Sequence, residues 1–94
     1  MDIHHEETGS KGRYWTSLDG GPEAEMTYSR ASERLVIIDH TEVPDAYRGK
    51  GVGVALVNHA VESARAGGWK ILPLCPFAAA QFRRHAEWHD VLNG

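Results

Sequence analysis

Three places in this chain carry residue types whose spacing permits chemistry. The first is Cys75, the single cysteine among 94 residues. It stands between an apolar run at 69–74 and a segment opening Pro76-Phe77 that reads as a helix. Proline suits the first helical position, which puts Cys75 at the cap, against the positive end of the helix dipole. A thiol there has a lowered pKa and favours thiolate. It could act as a nucleophile, or give acid or base help to a direct attack. As a small buried hydrophobe it would do neither. The second place is His40, three residues before the end of an apolar strand. An imidazole is the side-chain type suited to moving a proton near neutral pH, so His40 is a candidate base. Glu42, two residues along on the same strand face, is a rival base, and a histidine hydrogen-bonded on the sheet is the plain alternative.

The third place is a loop, Arg48-Gly-Lys-Gly-Val-Gly53, lying between the strand at 34–39 and a helical pattern that reaches about residue 66. Glycine lets backbone approach a ligand closely. The first helical turn offers unpaired N–H groups and the positive dipole end. Together these seat an anion, most often a phosphate, with Arg48 and Lys50 at the rim. Gly49-Lys50 runs into Gly51, so the hydroxyl of a P-loop is missing. A dinucleotide fingerprint fails as well, because its third glycine would fall one residue early. An ordinary tight turn before a helix is the reading without a ligand.

The elements that must position these groups follow in order. Residues 1–8 suggest a short first strand. Residues 12–18 have strand composition, 19–21 (Asp-Gly-Gly) a turn, and 23–30 an alternating strand with Ala24, Met26 and Tyr28 on one face, which makes an antiparallel hairpin. Ala31-Ser32 reads as the next turn. Residues 33–43 form a fourth strand, apolar on both faces in its middle, as a strand covered on two sides would be, and Pro44 ends it. From Lys50 the pattern is helical: Val54, Val57, Val61 and Ala64 form a stripe with Ala60 beside it, and Asn58, Glu62 and Arg65 lie opposite. Gly67-Gly68 stops that helix. Residues 69–74 form a short buried strand, parallel to the fourth. Its Pro73 is tolerable if one side is unpaired there. Residues 75–84 form a second helix, followed by a short tail, 85–94. His85 and His89 stand one helical turn apart, but Ala86 occupies the position a zinc-protease motif gives to glutamate, so no metal is expected.

The pattern His40-Thr-Glu-Val-Pro44, Arg48-x-x-Gly51-x-Gly53 and Cys75-Pro-Phe77 resembles the GNAT N-acetyltransferase superfamily, in its minimal, stand-alone branch. The resemblance covers roughly residues 33–92. It implies an α/β (α+β) fold with a mixed, mostly antiparallel sheet and a parallel strand–loop–helix–strand unit that binds acetyl-CoA, all in one domain, 1–94. It further implies that Val43, Arg48, Gly49, Lys50, Gly51, Val52, Gly53 and Phe77 contact the coenzyme. The amide-bearing pantetheine arm would then run like an extra strand where the fourth and fifth strands part. A histidine recurs at this position of the minimal branch, which supports His40. The implied activity is acetyl transfer to an amine or peptide. Longer relatives build an acceptor pocket from extra helices that are absent here, so a non-catalytic acyl-CoA-binding or sensing module and an interaction subunit stay open.

Composition agrees with a small globular domain: 41% apolar and 24% charged residues with net charge −3. That charge implies no general affinity for nucleic acid or acidic membrane, and no apolar run approaches the ~20 residues of a membrane span. The polar, acidic first residues do not read as a signal peptide. One cysteine suits a reducing cytoplasm.

Overall fold

The computed structural model describes residues 1–93. Five strands, β1 (His4–Thr8), β2 (Lys11–Ser17), β3 (Glu23–Ser32), β4 (Leu35–Glu42) and β5 (Lys70–Pro73), form one sheet in sequence order. The first three pairings are antiparallel, and β4–β5 is parallel. Helix α1 (Val52–Gly67) makes the crossover, and helix α2 (Pro76–Arg84) follows β5. The result is an α+β fold with a mixed, mostly antiparallel sheet, as expected.

Alternation decides which face is covered. Tyr14 and Thr16 on β2, Ala24, Met26 and Tyr28 on β3, and Val36 and Ile38 on β4 are all buried, while their neighbours are not. Against that face α1 packs Leu56, Val57, Ala60, Val61 and Ala64. The buried stripe keeps Val57, Ala60, Val61 and Ala64 of the expected one and adds Leu56, while Val54 lies at its margin. Leu35 and Ile37 are only half-buried. The fourth strand is central in the sheet, but helices cover it from one side.

Two turns behave as their residues require. Asp19 and Gly20 both take positive φ, 52° and 71°, which is the backbone of a tight hairpin connection. Gly68 closes α1 at φ 79° with its N–H on the Ala64 carbonyl. The expected turn at Ala31-Ser32 is a correction: β3 runs through it to Ser32, and the chain reverses at Glu33-Arg34. The extra residue Ala31 is accommodated as a bulge opposite Val36 and Leu35.

A second bulge matters more. Thr27 pairs with His40 and Tyr28 with Ile38, so Asp39 is left over on β4. One extra residue inverts the alternation beyond it. Thr41, opposite Met26, thereby joins Ile38 on the helix-covered face, while His40 and Glu42, opposite Thr27 and Glu25, turn to the open face.

The exposed edge strand β1 is tied down by polar contacts. The His5 ring stacks on Tyr14 at 4.5 Å, and its Nε2 meets the Tyr28 hydroxyl, which donates to Glu7 Oε1 at 2.6 Å. Burial pushes the His5 pKa below its ordinary 6.5, against the opposing pull of Glu7. The Tyr28 hydrogen bond holds Glu7 below its ordinary 4.5. In the interval beneath each ordinary value the unfolded chain binds more protons than the folded one, so stability falls as pH falls. The urea midpoint should therefore drop as pH passes below 6.5, and again below 4.5. His5→Gln should flatten the upper part of that decline, and a flat midpoint in the wild type would contradict the contact.

Candidate functional site

The β4–β5 ladder ends early. Its last register pair is Ile38 with Pro73, and the Ile38 carbonyl then accepts both the Leu74 and Cys75 N–H groups, at 3.1 and 3.2 Å. Beyond that point β4 continues to Glu42 paired with β3 alone. The expected parting of the two strands is present. Pro73, the last residue of β5, has no N–H to extend the ladder. Backbone groups on the free edge of 39–43 need a partner from outside the sheet.

The glycine loop stands beside this gap. After a 3-10 turn, Asp45–Tyr47, Gly49 and Gly51 adopt φ of 78° and 71°, a region that is strained for other residues. Gly51 is the N-cap of α1, and the first helical bond runs from Ala55 N–H to Gly51 O at 3.0 Å. The N–H groups of Val52, Gly53 and Val54 thus have no intrahelical acceptor. No side chain caps the helix, and its first turn holds no acidic residue. Gly53 serves a different purpose from its neighbours. A Cβ there would lie 2.6 Å from Phe77 Cζ, so only glycine lets this ring close over the loop. A cleft of about 220 Å³ runs from Val43 past the loop glycines to Val54 and Phe77. Arg48 borders it, exposed and paired with Asp45 at 3.1 Å. Such a surface pair holds its partners weakly, which leaves Arg48 free to turn toward an anion. Lys50 is exposed and does not line the cleft.

Tyr47, which sequence reasoning passed over, anchors the loop. Its buried hydroxyl accepts the Leu18 N–H at 3.0 Å and donates to the Pro22 carbonyl, binding the β2–β3 turn to the residue before Arg48. The Asp-Gly turn was legible, but nothing local links it to a tyrosine 25 to 29 positions away.

Cys75 occupies the expected N-cap of α2 and is 5% exposed. Burial alone would raise its thiol pKa. The Thr41 hydroxyl and the amides of Ala78, Phe77 and Thr41 outweigh burial and bring the thiol below its ordinary value. Thr41 Oγ1 lies 3.3 Å from the sulfur. The other two candidates do not meet Cys75 across a side-chain hydrogen bond. His40 and Glu42 are exposed on the open face, 3.9 Å apart. Two further histidines have structural work: His85 Nδ1 meets the Gln81 carbonyl and His89 Nε2 the Phe82 carbonyl, at 2.8 and 2.7 Å, satisfying the C-terminal end of α2. A wider cleft of about 550 Å³ lies beside them, between Phe82, Pro73 and Leu92. It contains none of the candidate residues.

A family model for the GCN5-related N-acetyl-transferases matches residues 13–91. The chain belongs to this family. Among solved structures, a GCN5-like protein from Staphylococcus aureus, determined by NMR, superposes with a TM-score of 0.74 at 32% identity, covering 97% of this chain and 88% of that one. Protein NATD1 of chicken, mouse and human is 44% identical over 39 residues, which are 42% of this chain and 34 to 36% of theirs. The chain thus spans about a third of the length of these curated relatives. The GCN5-related match extends from β2 to the turn after α2 and includes both the glycine loop and Cys75.

The Tyr47 contact generates a direct expectation. Tyr47→Phe should lower stability by about 1 kcal/mol and speed hydrogen exchange at the Leu18 amide while leaving the Ala64-bonded Gly68 amide protected. Unchanged exchange at Leu18 would contradict the anchoring.

Proposed function

We propose that this chain binds acetyl-CoA and transfers its acetyl group to an amine, with Cys75 as the transient acyl acceptor. The observation that carries the reading is the pairing of uncapped α1 amides with an unflanked β4 edge. The amides of Val52, Gly53 and Val54 receive the pyrophosphate, with Gly49 and Gly51 shaping the turn and Arg48 and Lys50 supplying charge. The free edge from Asp39 to Val43 accepts the amides of the pantetheine arm as an added strand would. Phe77 packs beside it, and Leu74, 62% exposed, lies at the gap.

Cys75 then meets the thioester. Its thiolate forms a bond to the acetyl carbonyl carbon, the bond from that carbon to the CoA sulfur breaks, and CoA leaves as a thiolate that takes a proton from water. The amine attacks acetyl-Cys75, the new carbon–nitrogen bond forms, and the Cys75 sulfur departs. His40 or Glu42 receives the proton lost by the nitrogen. Both project from the open face of a strand whose edge is vacated once CoA has left, so an acceptor then lying along that edge reaches them from one side and Cys75 from the other. A thiol with this duty requires a reducing compartment, which is the cytoplasm on this reading. Among the described residues no helix is long and apolar enough to cross a membrane.

Calorimetric titration tests the seat. Wild type should bind acetyl-CoA and CoA, and Gly51→Val should bind about tenfold more weakly, since the variant loop relaxes out of the φ 71° turn and binding must restore it at a cost of roughly 1–2 kcal/mol. Equal affinities would contradict the seat. Mass spectrometry after brief exposure to acetyl-CoA tests the acceptor. Wild type should gain one acetyl group on Cys75, and Cys75→Ala should gain none and lose most of its transfer. Undiminished transfer by Cys75→Ala would end the covalent route in favour of direct attack.

A further inference from the structure

The Asp39 bulge has placed a hydroxyl where a regular strand would have placed an imidazole. Were Asp39 paired as in a regular strand, His40 would share the helix-covered face with Ile38 and stand over the start of α2. With it, Thr41 takes that place, opposite Met26 in register and 3.3 Å from the Cys75 sulfur. We propose that Thr41 is the positioning residue of this site: its hydroxyl, rather than the His40 imidazole, orients the Cys75 sulfur and steadies its negative charge. This rests on the reading of Cys75 as the acyl acceptor, and it adds the group that prepares it.

Geometry supports the assignment from several sides. Cys75 is largely buried, so water solvates a thiolate there poorly and a protein donor stabilises it. While the sulfur is protonated, its S–H points to Thr41 Oγ1. Once the proton leaves, the hydroxyl rotates and donates in return, since a hydroxyl can act both ways. The main chain of Thr41, Phe77 and Ala78 pulls the thiol pKa in the same direction. The helix alone leaves the task unfinished, because Cys75 makes no completed side-chain cap bond to it. The titratable groups of the neighbouring elements are placed elsewhere. Asp39 accepts from Ser29, His40 and Glu42 face outward, Lys70 opens β5 with its ammonium on the Asp90 carbonyl, and Arg83 and Arg84 lie in the last turn of α2.

The test needs no coenzyme. Cys75 is the only thiol, so its alkylation rate by iodoacetamide, followed against pH, reports this sulfur alone. Thr41→Val keeps the shape and removes the hydroxyl, and Thr41→Ser restores it. The wild-type inflection should lie below that of a simple alkyl thiol. Thr41→Val should move it upward, and Thr41→Ser should bring it back. If the inflection rises by about one on the pH scale, the thiolate fraction near neutrality falls tenfold while each thiolate becomes about threefold more nucleophilic, so alkylation should slow by about threefold. A buried side chain that served only to fill space would change the rate at all pH values without moving the inflection. An unmoved inflection in Thr41→Val overturns the proposal, as does an inflection that moves in His40→Gln instead. If Thr41→Val does not fold, the ultraviolet titration of the wild-type thiolate decides: an inflection at or above that of a simple thiol overturns it. Exposure of the same proteins to acetyl-CoA separates the two readings. A Thr41-dependent inflection with no acetyl group on Cys75 refutes the acceptor role and leaves the assignment of Thr41 standing.

Discussion

The early end of the β4–β5 ladder is the constraint on which the rest depends. A proline in register with Ile38 stops the pairing, and one carbonyl gathers the next two amides. The chain is thereby turned out of the sheet into α2, which puts Cys75 at a helix N-terminus. The same event strips one edge of β4 of its partner just where the strand leads into the glycine loop. A gap, a thiol and a row of unpaired amides therefore arise together. A longer fifth strand would abolish the gap and carry Cys75 into the sheet.

The two bulges adjust this frame. Ala31 takes up the slack on β3, and Asp39 inverts the facing of the last residues of β4. The helix-covered face near Cys75 consequently holds a threonine, and the open face holds His40 and Glu42. Local fields, rather than overall charge, favour an anion at the loop. The chain carries net charge −3, yet the first turn of α1 has no acidic residue, and three main-chain donors converge there. Tyr47 makes that convergence durable by fastening the loop to a hairpin turn remote in sequence.

Much of this was legible in the residues. The order of strands and helices, the Asp-Gly turn, the Gly68 stop and the Pro76 helix start each follow from local chemistry, and each stands as expected. The parting of the strands was legible through Pro73. Some features escaped because they depend on pairing rather than on local preference. A bulge at Asp39 is set by the register against Thr27 and Tyr28, and no residue type announces it, so the facing of His40 and Thr41 could not be read. The turn expected at Ala31-Ser32 failed for the same reason. Tyr47 was missed because its partners are distant carbonyl and amide groups. The two-sided burial expected of β4 failed because its apolar middle meets helices on one face only.

Chemical-shift mapping of main-chain amides during titration with coenzyme A addresses the central claim most directly, because it reads the loop and the strand edge separately in the intact chain. The account predicts the largest changes at Val52, Gly53 and Val54 and at the free-edge amides between Asp39 and Val43, with β1 and the β2–β3 turn little altered. Changes confined to other surfaces, or none at saturating coenzyme, would contradict it.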